Sequence, residues 1–238
     1  MKSYTQTDLS NRFYSTTGAV IRGVDGKLVE VQAKTTKYLV SPADFKSATK
    51  IYGMARGAVN ESLDRIQGAF DILGVGKTPV SITVNLAPAD IVKEGVTLDL
   101  PIAVVLLQAA GYLPKNAVDD TYFMFGEIGF NGEIRKVKGA LALAYAAVPG
   151  QKIISPEGNR KETALVRWRD QESDIFAYPA NTLQEVIDSL CGVKKLRSAT
   201  EQNIQFKSAF KAPIDFASSC PIMSAKSKWG ILINSFTF

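Results

Sequence analysis

The sequence predicts an α+β fold, a mixed sheet packed with helices in a two-layer arrangement. Three observations carry that prediction. Segments with the two-residue period of strands alternate with segments at helical spacing along most of the chain. The stretch Leu98 to Ala110 (LDLPIAVVLLQAA) is apolar nearly all round, which marks a helix buried on every side. Two hairpin signals, Asp25-Gly26 and Asn131-Gly132, separate apolar-alternating runs, so part of the sheet is antiparallel.

Taken in order, residues 1–17 are polar and expected to be loose. Ala19 to Ala33 reads as a hairpin turning at Asp25-Gly26, and Lys37 to Val40 as a third strand ended by Pro42. Lys46 to Leu73 is expected as one long helix, with Met54, Ala58, Ser62, Ile66, Ala69 and Phe70 at helical spacing. Ile82, Val84 and Leu86 then alternate as a half-buried strand, which Pro88 ends because it has no N–H to donate. A polar loop holding Asp90, Lys93, Glu94 and Gly95 leads into the buried helix, with Pro101 in the first turn, where proline is tolerated.

Beyond that helix, Tyr122 to Ile128 is expected as a central strand, and Glu133 to Val137 as its return after the Asn131-Gly132 turn. An alanine-rich helix follows over Ala140 to Val148, closed by Pro149-Gly150. A strand at Lys152 to Ser155, a surface helix at Pro156 to Val166 and a strand at Asp174 to Tyr178 come next. Thr182 to Leu190 is the last helix, its start marked by the capping-box pair Thr182 and Glu185.

Composition narrows the chemistry. The chain has 238 residues, 46% of them apolar, which is enough to bury a full core. It has no histidine, which removes Ser-His-Asp triads, Cys-His pairs and imidazole-ligated zinc. Cys191 and Cys220 make neither a disulfide framework nor a metal site, and no metal is assigned. No apolar run is long enough for a membrane helix and the N-terminus lacks an apolar signal core, so a cytoplasmic location without membrane attachment is expected. The net charge of +5 sits wholly beyond Gly192, where seven basic residues face Glu201 and Asp215. Composition reads residues 192–238 as a basic, solvated linker and tail.

One motif misleads. Gly76-Lys77-Thr78 copies the end of a phosphate-binding loop, but Asp71 stands where the first glycine belongs and Pro79 blocks the helix such a loop must open. A turn is expected there.

Two long segments resemble a known family. TVNLAPADIVKEG with DLPIA (Thr83 to Ala103) and FGEIGFNGEIRKVKGAL (Phe125 to Leu141) resemble the N-terminal ChlI-type, Lon-like domain of ComM/YifB-type magnesium-chelatase-related proteins. AVIRGVDGKLVEV, AVNESLDRIQGAF, ISPEGNRKETALV and IFAYPANTLQEVIDSL fit the same family in the same order, over residues 18–191. The resemblance implies a Lon-protease-like fold (the ribosomal-protein-domain-like type) joined to an AAA+ ATPase module in a bacterial cytosolic protein. ComM-type members are implied to act as DNA helicase motors in transformation, and others as ATP-dependent proteases.

Two departures bear on function. The serine of a Lon-type Ser–Lys dyad falls at or next to Thr97, and its lysine falls near Leu141, which cannot take a proton. Thr97 then reads as an N-cap of the buried helix, and no residue is assigned as catalytic. Pro213 to Phe216 looks like the junction into the ATPase module, yet no Walker motif follows, so the chain is expected to stop before that module, and ATP and magnesium would belong to it. The apolar residues Trp229, Ile231, Leu232, Ile233, Phe236 and Phe238 read as an aggregation-prone leftover or a docking strand.

Two charged groups remain. Lys93, Glu94 and Asp99, with Glu127, form a candidate polar pocket at the helix mouth, catalytic or ligand-binding in one reading and a set of mutually satisfied structural groups in the other. Arg135, Lys136 and Lys138 form a candidate DNA contact, and the resemblance to Lon-like domains of RadA-type proteins adds weight by analogy. The expected function is a non-catalytic Lon-like domain serving assembly or DNA contact for an AAA+ ATPase; partners are a homo-oligomer, DNA or an AAA+ chain. The alternatives are a degenerate peptidase using Thr97 with Lys93 or Lys138, and an orphan fragment.

Overall fold

Tyr14, Thr16, Gly18 and Val20 alternate along one face of a strand, and that strand, β1 (Phe13–Arg22), lies in the middle of the sheet. A computed structural model describes residues 9–93, 96–119, 121–168 and 175–199. β1 pairs antiparallel with β2 (Asp25–Asp44) from Phe13↔Lys34 to Arg22↔Asp25, so Gly23 and Val24 make the turn and Asp25-Gly26 does not. Gly23, with φ +62°, supplies the positive φ that both primed hairpin turns need at their first position. Gly26 is needed for packing, since a Cβ there would run into the carbonyl oxygen of Ala142. The strand expected at 37–40 is the outer half of β2, which continues through two register irregularities, the second spanning Pro42.

The long helix expected over 46–73 is interrupted. α1 (Phe45–Ala48) gives way to β3 (Thr49–Tyr52), and α2 (Arg56–Ile72) follows. Thr49, Ile51 and Tyr52 favour the extended state, and Gly53 at φ +91° turns the chain out of it. Phe45 anchors the short helix, its ring edge-on to Phe70 at 4.8 Å between centroids. β3 pairs parallel to β4 (Lys77–Ala87), which pairs antiparallel to β2 and buries Val80, Ile82, Val84 and Leu86.

α3 (Asp99–Ala109) is buried at every one of its residues, as its uniform apolarity requires. It approaches β1 at Gly18, where a Cβ would stand 2.9 Å from Leu98 Cδ2 and 3.0 Å from Pro101 Cγ. β5 (Tyr122–Met124) pairs parallel to β1. The strand expected over 122–128 breaks after Met124: Phe125 N–H bonds Ile154 O at 3.2 Å, and Gly126 N–H turns to Thr97 O at 2.9 Å. β6 (Glu127–Ile128) and β7 (Ile134–Arg135) form a separate two-stranded hairpin.

α4 (Ala140–Tyr145) starts at a left-handed Gly139 and is shorter than its apolar pattern suggests. It packs on the face of the β1–β2 hairpin opposite α3, through Ile21, Gly26 and Gly139. β8 (Lys152–Pro156) leads through 3-10 turns on either side of α5 (Arg160–Ala164), then β9 (Phe176–Ala180) and α6 (Leu183–Leu190). Thr182 Oγ1 accepts the Glu185 N–H at 3.2 Å, and Glu185 accepts the Asn181 N–H at 2.8 Å, close to the capping box expected. The sheet order is β3-β4-β2-β1-β5-β8-β9, antiparallel across β4-β2-β1 and parallel across β1-β5-β8-β9: an α+β fold. No helix among the described residues is long and apolar enough to cross a membrane.

Both expected boundaries move. Leu9 N–H bonds the Tyr38 hydroxyl at 3.0 Å and Phe13 opens β1, so the loose N-terminal segment does not extend to 17. Packing reaches past 191, since Ala199 is buried and its N–H donates to Ala177 O at 2.8 Å. The apolar terminus, Cys220 and most of the basic tail lie outside the described residues.

Replacing Ile102, fully buried in α3, by alanine removes about 2–5 kcal/mol of stability. Urea unfolding that places the variant within 1 kcal/mol of wild type would show the helix is not enclosed as described.

Candidate functional site

The loop between β4 and α3 brings the expected pocket residues close in sequence, but the structure gives them separate tasks. Lys93 is 2% exposed; its Nζ donates to Ile91 O at 2.9 Å and to Pro88 O. Burial lowers its pKa below the ordinary lysine range, against the opposing pull of Asp90. Glu94 lies outside the described residues. Thr97 does not cap α3: the N-cap is Leu98, without a side-chain bond. The Thr97 hydroxyl instead donates to Ala19 O on β1 at 2.8 Å, and its carbonyl accepts from Gly126, so the residue ties β1, α3 and the β5–β6 link together.

Asp99 carries the dense part of the site. It is 2% exposed, in the first turn of α3, where a carboxylate suits the helix dipole. Arg65 grips it with both arms of the guanidinium, Nε at 2.7 Å and Nη2 at 3.1 Å. Ser62 Oγ donates at 2.7 Å and the Ile128 N–H at 3.4 Å. Burial raises the Asp99 pKa; the hydrogen bonds from Arg65 and Ser62 pull it back without cancelling the rise. Arg65 in turn is held above its ordinary value, first by its bond to Asp99. Half-buried Glu127 adds its charge to Arg65 from β6 and pairs with Arg135 Nη1 at 3.7 Å.

The expected cluster therefore divides. Asp99 and Glu127 both act on Arg65, whereas Lys93 bonds its own loop carbonyls. Sequence reasoning missed Arg65 and Ser62, although both signals were present: Ser62 stands on the core-facing stripe of α2, and Arg65 one turn away leans against it. A cation bordering a core stripe calls for a buried anion.

The dyad positions do not meet a base among the described residues. Leu141 on α4 is 39% exposed and borders a groove of about 490 Å³ against the hairpin tip at Val24 to Lys27. Of the candidate DNA contacts, Arg135 pairs with Glu133 and Glu127, and Lys136 with Glu162 at 3.0 Å. Lys138 is exposed and has no ionic partner among the described residues. The Gly76-Lys77-Thr78 motif is not a turn throughout, for Lys77 and Thr78 open β4. Lys77 pairs with Asp44 at 2.5 Å, and the buried Thr78 hydroxyl donates to Val80 O at 3.0 Å.

A strand, a charged loop and a wholly buried helix, locked by an internal Asp–Arg pair and followed by a small hairpin, define this as a ChlI-type α+β domain. The family model described as subunit ChlI of Mg-chelatase matches residues 40–159, and the chain belongs to that family, in its ComM/YifB-type branch. It is 40% identical to the uncharacterized protein YifB of Escherichia coli over 115 residues, 48% of this chain and 22% of that protein. It is 34% identical to the competence protein ComM of Haemophilus influenzae over 172 residues, 72% of this chain and 32% of that protein. An uncharacterized protein of Mycobacterium tuberculosis is 29% identical over 148 residues, 61% of this chain and 28% of that protein. The matches thus cover between a fifth and a third of these relatives' length.

Two outcomes check the site. Asp99→Ala strands Arg65 and lowers stability by about 3–5 kcal/mol, part of which a second change, Arg65→Met, restores; additive losses in denaturant unfolding would argue against the pair. Lys93 binds its proton less readily folded than unfolded, so its contribution to stability is complete above the ordinary lysine pKa and lost as pH falls through its lowered value. Lys93→Met should flatten that alkaline rise in a stability–pH series, and an unchanged profile would contradict the burial.

Proposed function

We propose that this chain provides a non-catalytic Lon-like domain of a ComM/YifB-type system, serving assembly or DNA contact for an AAA+ ATPase in the cytoplasm. One observation carries the reading: the Thr97 hydroxyl donates to a backbone carbonyl, and no amine among the described residues partners it. A hydroxyl becomes a nucleophile when an adjacent base takes its proton, and a carbonyl oxygen on β1 is no such base. Lys93 holds two loop carbonyls instead, and Leu141 occupies the place where the resemblance puts the lysine.

The internal pairing of Asp99 supports the same reading. Its oxygens are taken by Arg65, Ser62 and Ile128, which leaves the mouth of α3 organised for packing. ATP and magnesium would be held by the AAA+ module and not by this domain. DNA contact draws support from exposed Lys138 and from the competence name carried by the Haemophilus relative. With Arg135 and Lys136 already paired to carboxylates, the electrostatic contact is modest and non-specific.

The test has two arms on the full chain. Casein or peptide cleavage stays at background in wild type and in Thr97→Ala alike; cleavage that disappears with Thr97→Ala would establish a peptidase. Fluorescence anisotropy with single-stranded DNA shows affinity that falls steeply with salt and is weakened by Lys138→Gln. Affinity indifferent to salt would remove the electrostatic part.

A further inference from the structure

The segment after α6 brings three cations onto one cavity. Lys194, Lys195 and Arg197 line it together with Arg160 from α5, around a volume of about 210 Å³. The segment is pinned at both ends: the Lys194 N–H donates to Asp188 O at 3.2 Å, and the Ala199 N–H to Ala177 O at 2.8 Å, with Ser198 and Ala199 buried. Its cations are therefore carried on a fixed piece of backbone laid against β9.

The two carboxylates on the cavity are already engaged. Glu157 accepts both Nε and Nη2 of Arg160, at 2.5 and 2.8 Å, and Glu185 accepts the Asn181 N–H. Lys194, Lys195 and Arg197 have no acidic partner among the described residues. Four cations against two carboxylates leave a positive surplus in a concave site, which draws anions. Lysines past a helix C-terminus also complement its dipole, which accounts for Lys194 and Lys195 but not for Arg197 or Arg160.

We infer that this cavity binds a phosphate-bearing anion, held by Lys194, Lys195 and Arg197 beside the Arg160–Glu157 pair. The planar fork of arginine matches phosphate oxygens, and lysine adds mobile point charge. The volume lies below the roughly 300 Å³ at which sites for drug-sized ligands begin, so it suits a phosphate or diphosphate group and not an entire nucleotide. The group belongs either to a free small molecule or to a nucleic-acid backbone. None of these lining residues belongs to the proposed Lys138 contact.

Calorimetric titration of the full chain with inorganic pyrophosphate at low salt tests the site. One saturable site per chain is expected, and the triple change Lys194→Gln, Lys195→Gln, Arg197→Gln weakens it about tenfold or more. Lys50→Gln, on β3 at the opposite edge of the sheet, leaves it unchanged. Arg197→Lys, which keeps the charge and removes the fork, weakens it by about fivefold and serves as a second readout if the triple variant unfolds. Displacement of pyrophosphate by an oligothymidylate identifies a nucleic-acid backbone as the source, and failure to displace identifies a free anion; either supports the site. Unsaturable binding, or equal loss in Lys50→Gln and the triple variant, would overturn it.

Discussion

A helix with no face toward water has to be enclosed on every side, and α3 imposes that condition on the rest of the domain. Its N-terminal turn cannot look to solvent for hydrogen-bond partners, so Asp99 must be ionised, paired and hydrogen-bonded within protein or be neutralised. α2 answers with Arg65 and Ser62, and the β6 backbone with the Ile128 N–H. The ion pair also fixes orientation: a bidentate guanidinium sets the angle at which α2 meets the start of α3. β1 accepts the same helix only because Gly18 offers no side chain.

That enclosure is why the helix mouth reads as structure and not as chemistry. Thr97 stands where three pieces of chain converge, and its hydroxyl and carbonyl are both spent on joining them. Lys93 closes its own loop in the same way. Lys93, Thr97 and Asp99 each have internal partners, which is how buried polar groups persist without large cost. The surplus of charge appears elsewhere, on the cavity bordered by Arg160 and the segment after α6.

The parts of this fold legible in the sequence were those with strong periodicity. The α3 run, the Val80 to Leu86 alternation and the Thr182–Glu185 cap all announce themselves through local spacing. The misread places were those where one residue type serves two purposes. Gly26 looks like a turn glycine and is a packing glycine, while Gly23 makes the turn. Thr49 to Tyr52 lies inside a helical spacing pattern, and only pairing with β4 draws it into a strand. At the site, Asp99 and Thr97 were visible as candidates, but the pairings were not: Arg65 borders the core stripe of α2 without pointing to Asp99 in particular, and nothing local marks Ala19 as the acceptor for Thr97.

The position of β1 also has a kinetic side. On one edge it meets β2 through a two-residue turn, a pairing that closes almost as soon as the hairpin is made. On its other edge Thr17 must wait for Phe123, more than a hundred residues downstream. During synthesis that second edge stays open until the later segment emerges, and an unsatisfied strand edge invites foreign pairing. The single Thr17↔Phe123 register position is thus the seam at which the antiparallel and parallel parts of the sheet are joined.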